Sequence, residues 1–171
     1  MDKERFLLPA IIIVVLLVIV AVATSLIGNT TFKTGNVAFQ YPNSWYKEQS
    51  IGNFDDQSLY SAVTLNRDFQ SNNQTVTAYI IFQMQITTQG VLQLPSTGSI
   101  TTNSTNSTVG TINIGDFKAT QLGNLGPEVA QKVTIIQKDN FYYTIQYICP
   151  SSALNETTEA YNMILSTLQL S

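Results

Sequence analysis

The chain has 171 residues, with 8 basic and 11 acidic side chains for a formal net charge of −3, and is only 11% charged. Past residue 28 the basic residues Lys33, Lys47, Arg67, Lys118, Lys132 and Lys138 are scattered and form no stripe, which argues against a nucleic-acid partner. There is no histidine and a single cysteine, Cys149, so the commonest general base, the commonest zinc ligand and any intrachain disulfide are excluded together.

The first element is Phe6 to Ile27, 22 residues without a charge, 16 of them Leu, Ile, Val or Phe. As a helix it would extend about 33 Å, which matches a hydrocarbon core of about 30 Å. Pro9 falls in the first turn, where a missing N–H costs little. Two readings apply. One is an uncleaved single-pass anchor. The other is a secretory signal cut near Ala23, at the small residues Ala21-Val22-Ala23. The apolar run is longer than a signal core and continues through Leu26 and Ile27, which favours the anchor. Lys3 and Arg5 precede the segment and only Lys33 follows soon after it. The positive-inside bias therefore puts the N-terminus in the cytoplasm and the remainder outside the cell membrane. An outside location gives meaning to five Asn-X-Ser/Thr triplets, at Asn29, Asn73, Asn103, Asn106 and Asn155, as glycosylation candidates.

The expected organisation is a cytoplasmic tip and anchor over residues 1–28, a short linker over 29–34, and one domain over 35–171. Gly35 to Tyr41 alternates, with Val37, Phe39 and Tyr41 on one face, and Pro42 stops it. Pro42-Asn43-Ser44 reads as a turn that brings Trp45, the single tryptophan, over the sheet edge. Ser58 to Asn66 and Gln74 to Thr87 read as the next strands. Residues 95–110, PSTGSITTNSTNSTVG, have almost nothing to bury and read as a flexible loop. Thr111 to Leu122 reads as a strand bent or bulged near Gly115. Val129–Lys138 and Phe141–Cys149 read as a hairpin about Lys138-Asp139-Asn140. A helix from about Glu156 to Leu168, capped by Asn155, presents Ala160, Tyr161, Ile164, Leu165 and Leu168 as one apolar stripe.

With VAFQYPNSWYKE as an opening strand, and NFYYTIQYICP with TEAYNMILSTLQL as a closing strand and helix, the chain resembles the PsbP-like superfamily. Phe39, Tyr41, Pro42 and Trp45 carry the resemblance, and Ser166-Thr167-Leu168 stands where the family's closing motif falls. The layout is similar to small membrane-anchored PsbP-related proteins of prokaryotes, archaea included, over about residues 35 to 171. What the resemblance implies is an α+β fold, an antiparallel β-sheet flanked by helices. Here it would follow one N-terminal transmembrane helix. Function does not transfer with such a fold.

Chemistry-bearing motifs are sparse. Asp55-Asp56 with Asp68 lack the alternating oxygen ligands and distal Glu of a calcium loop, so no metal is expected. No phosphate loop or nucleophile elbow is present, so neither a cofactor nor an enzyme activity is expected. Two classes remain. One is an extracytoplasmic accessory or interaction module of the cell envelope with a protein partner. The other is a small-ligand or carbohydrate-binding domain using Trp45 and Tyr46.

Overall fold

The computed structural model describes residues 28–71, 73–87 and 107–171. The expected transmembrane segment, most of the Ser/Thr/Asn-rich stretch and the sequons at Asn103 and Asn106 lie outside the described residues. Among the described residues, no helix is long and apolar enough to cross a membrane.

The chain runs β1 (Asn29–Thr34), β2 (Val37–Pro42), β3 (Tyr46–Lys47), β4 (Tyr60–Ser71), β5 (Gln74–Ile86), β6 (Ser107–Ile114), β7 (Phe117–Leu125), β8 (Val129–Lys138) and β9 (Phe141–Pro150). A 3-10 turn (Ser151–Ala153), helix α1 (Leu154–Thr167) and β10 (Gln169–Leu170) complete it. The strands form two antiparallel sheets. One is seven-stranded, in the order β3-β4-β5-β9-β8-β7-β6, and the other three-stranded, in the order β1-β2-β10. The fold is therefore mostly antiparallel sheet with one described helix, where a sheet flanked by helices was expected. The small sheet and α1 together form the second layer.

Alternation decides which side of the large sheet is packed. On β9, Phe141, Tyr143, Ile145, Tyr147 and Cys149 face the second layer. Register lines up Ile145 with Phe82 and Tyr147 with Ile80 on β5, and Phe82 and Ile80 with Val63 and Leu65 on β4. The small sheet closes over this face through phenylalanines. Phe32 stacks on Phe39 at 4.9 Å, Phe39 meets Phe82 at 5.2 Å, and Phe54 sits 5.9 Å from Phe82. Fully burying such a ring contributes about 1.5–3 kcal/mol, so this cluster is a main tie between the layers. Phe54 holds a left-handed backbone (φ 52). Its N–H donates to Ser61 Oγ at 3.0 Å and its carbonyl accepts from Asn36 N at 2.8 Å, which fixes a conformation that a bulky residue otherwise avoids. Next to the small sheet, α1 lays Tyr161 on Tyr147, centroids 5.2 Å apart. The Tyr161 hydroxyl meets Thr134 Oγ1 and accepts from Gln121 Nε2, and the Tyr147 hydroxyl meets Thr157 Oγ1.

Several elements differ from the expectations. Residues 29–34 are not a linker but strand β1, paired with β2 from Asn29 opposite Pro42 to Thr34 opposite Val37. Phe32, its one buried side chain, fills a core place. Gly35 and Asn36 are the turn of that hairpin, and β2 starts at Val37. Gly35 has φ +53, and a Cβ there would lie 2.3 Å from two carbonyl oxygens, so only glycine fits. The single strand expected over Thr111–Leu122 is two strands, β6 and β7, paired in unbroken register around the two-residue turn Gly115-Asp116. The expected loop over 95–110 loses its end to β6, since Ser107 to Gly110 pair with β7. Helix α1 begins at Leu154. Its N-cap is Ala153, with no side-chain cap, so Asn155 lies inside the first turn instead of capping it. The hairpin of β8 and β9 forms as expected, with Asp139 in the left-handed region (φ 53).

Candidate functional site

The turn after β2 builds the most chemically distinctive cleft. Pro42 ends the strand, Trp45 N donates to Pro42 O at 3.0 Å, and Asn43 N donates to Gly28 O at 2.9 Å. Thr30 Oγ1 also donates to Asn43 Oδ1 at 2.5 Å. These bonds tie the start of β1 to the turn and turn Trp45 inward, leaving it 3% exposed. The cleft beside it has a volume of about 210 Å³ and is lined by Asn29, Ser44, Trp45, Arg67, Glu156 and Glu159, among others.

Each wall comes from a different element. Arg67 projects from β4, its guanidinium 4.6 Å from the centre of the Phe69 ring, an arrangement that fixes a planar cation over an aromatic face. Glu156 and Glu159 are three apart on α1 and therefore share one helix face. Trp45 Nε1 is buried and has no hydrogen-bond partner among the described residues. A buried N–H in that state carries a cost of about 1–3 kcal/mol unless some group accepts from it. The cleft thus combines a cation and two carboxylates beside a packed indole. That set suits a small polar molecule able to both donate and accept.

Trp45 and Tyr46 are not brought together as one platform. Trp45 is packed and lines the cleft, whereas Tyr46, 68% exposed on β3, is not among the lining residues. The described sequon asparagines, Asn29, Asn73 and Asn155, are all exposed, at the first residue of β1, the β4–β5 turn and the first turn of α1. Arg67, Glu156 and Glu159 had no site role in the sequence reading. An acidic pair at helical spacing is the one signal that could have marked the two glutamates. The three aspartates considered for calcium serve separate bonds. Asp55 Oδ1 accepts from Ser58 Oγ at 2.7 Å, Asp56 Oδ1 from Asn36 Nδ2 at 2.6 Å, and Asp68 Oδ1 from Thr77 Oγ1 at 2.7 Å.

Burial raises the tyrosines that hold the layers together. Desolvation pushes Tyr147 up to about 12, aided by the neighbouring Cys149 and opposed by hydrogen bonds from Thr157 and Thr158. Tyr161 is raised by burial against the opposing effect of Thr134 and Gln121, and Tyr143 by burial and then by the nearby Asp56 and Asp139. These phenols stay neutral through the physiological range.

No protein-family model matches the sequence, and no curated protein does either. Among solved structures, a protein from Bacteroides thetaiotaomicron is similar over 82% of this chain at 12% identity, with a TM-score of 0.47. This chain spans about half of that protein, 48% of its length. LpqN of Mycobacterium tuberculosis, described as involved in cell envelope biogenesis, is similar over 84% of this chain and 91% of its own at 17% identity, with a TM-score of 0.44.

Proposed function

We propose that the chain is a single-pass, membrane-anchored, extracytoplasmic accessory module of PsbP-like type that acts by binding a protein partner of the cell envelope and catalyses no reaction. The observation that carries this reading is the junction at Gly28. An uncharged apolar run of membrane length, preceded by Lys3 and Arg5, leads at once into a folded domain whose first described residue lines the Trp45 cleft. A tether of that kind places the cleft close to the bilayer surface, within reach of other envelope proteins. The lack of histidine and the full burial of Cys149 support a non-catalytic role. Protease added to intact cells should remove the domain, and the full chain captured from detergent-solubilised native membranes should retain a specific envelope protein. Full protection of the domain, or recovery of the chain from the cytosol, would overturn the reading.

A second reading is favoured by one feature, a cleft that offers Arg67, Glu156 and Glu159 beside the Trp45 ring. It is a small polar ligand such as a sugar, held by hydrogen bonds to the cleft walls rather than by stacking. Titration of the full chain with mono- and oligosaccharides, followed by the fluorescence of the single tryptophan, tests it. No response at millimolar sugar would set it aside.

A further inference from the structure

Among the described residues, every sheet edge but one is short or charged. β3 and β10 are two residues long, and β1 carries the exposed Lys33. The exception is β6, eight residues with no charge and no proline, bordering the seven-stranded sheet. Among the described residues it pairs only with β7. Natural edge strands are usually blunted by shortness, a lysine, a proline or a bulge. β6 has none of these. Its register with β7 is unbroken from Ser107 opposite Asn124 to Ile114 opposite Phe117. Thr108, Val109, Gly110, Thr111 and Asn113 are all exposed, Val109 at 69%.

The hairpin sets which backbone groups are free. The residues flanking a two-residue turn, here Ile114 and Phe117, exchange both backbone hydrogen bonds, and the pattern then alternates along an antiparallel pair. Ile114, Ile112, Gly110 and Thr108 therefore bond to β7. Val109, Thr111 and Asn113 turn their N–H and C=O groups outward.

We propose that β6 is a self-association edge, pairing antiparallel with β6 of a second copy about a two-fold axis at Thr111. The strand is self-complementary at that register. Thr111 meets its own copy, a favourable cross-strand pair, Val109 lies opposite Asn113, and Gly110 opposite Ile112. A two-fold axis sets like residues against each other, so a charge near its centre would repel, and between Ser107 and Gly115 there is none. The absence of charge also leaves this strand nothing with which to select a foreign strand by charge. The pairing needs neither the anchor nor the Trp45 cleft, so it stands apart from the proposed function.

The test is sedimentation of the full chain in detergent micelles over a concentration series, wild type against Thr111→Pro. Proline at an outward-facing edge position removes a donor that β7 does not use, so the domain keeps its fold, which circular dichroism checks. The wild type should form dimers, and T111P should weaken them by at least about tenfold. Thr111→Cys should form an interchain disulfide under mild oxidation, because two-fold pairing brings the two Cα atoms to about 5.5 Å. A control cysteine at the exposed Gln70 should not. A wild type that stays monomeric, or dimers that T111P leaves unchanged because they form elsewhere, would overturn the proposal. Should T111P unfold, Thr111→Lys, which leaves the backbone intact and sets two charges at the axis, decides in its place.

Discussion

Replacing Trp45 separates packing from polar satisfaction at the cleft. Trp45→Ala deletes a side chain that is 3% exposed, and losses of that kind cost about 3–5 kcal/mol. Trp45→Phe is different. It keeps one aromatic ring and gives up a few buried carbons, on the order of 1–2 kcal/mol at about 0.8 kcal/mol per buried methylene. Against that loss stands the indole N–H, buried without a partner among the described residues, which carries about 1–3 kcal/mol of uncompensated desolvation that phenylalanine lacks. The two nearly cancel, so W45F should fall within about 1 kcal/mol of wild type while W45A does not. Guanidinium unfolding of the full chain in micelles, followed by far-ultraviolet circular dichroism, measures both, since the substitutions remove the only tryptophan fluorescence. A W45F cost above about 2 kcal/mol at unchanged m would refute the argument, because it would mean that the N–H has an acceptor in solution. A W45A cost below about 1 kcal/mol would refute the packing role.

Three further outcomes are expected. Gly35→Ala should cost more than about 3 kcal/mol, because its Cβ would meet the carbonyl oxygens of Asn53 and Phe54 at 2.3 Å on top of a positive φ. Gly115→Ala, with the same backbone region but open space around it, should cost only about 1–2 kcal/mol, and equal losses at the two sites in denaturant titrations would undo that distinction. Tyr161→Phe removes contacts to Thr134 and Gln121 and should cost about 1–2 kcal/mol, with Gln121 Nε2 still able to donate to Thr134 Oγ1 at 3.2 Å; an unchanged unfolding midpoint would show that these bonds contribute nothing net. Stability should also fall at alkaline pH. Burial raises the folded-state value of Tyr147 from 10.0 to about 12, so the folded state holds its proton where the unfolded state has lost it. The contribution is whole below pH 10 and is lost as pH rises toward 12. Melting temperatures measured alongside tyrosinate absorbance check this, and a flat melting temperature across that window would contradict it.

Much of the fold was readable along the chain because strand alternation and helix periodicity are local. The face of β9 that carries Phe141, Tyr143, Ile145, Tyr147 and Cys149, the turn at Asp139, and the stripe of α1 all follow from residue spacing. The uncharged N-terminal run, outside the described residues, stands out by composition alone. Tertiary structure decided the rest. β1 has one inward apolar side chain, Phe32, too little to register as a pattern. It is a strand because β2 supplies its hydrogen-bond partners and Phe39 and Phe54 supply a place for its ring. Gly115 read as a bend or bulge within one strand until pairing of β6 with β7 fixed it as a hairpin turn. The cleft is non-local altogether. Trp45, Arg67 and Glu156 come from three separate parts of the chain, and no spacing rule joins them. Their meeting depends on sheet order and on where α1 settles, quantities set by long-range packing rather than by any run of neighbouring residues.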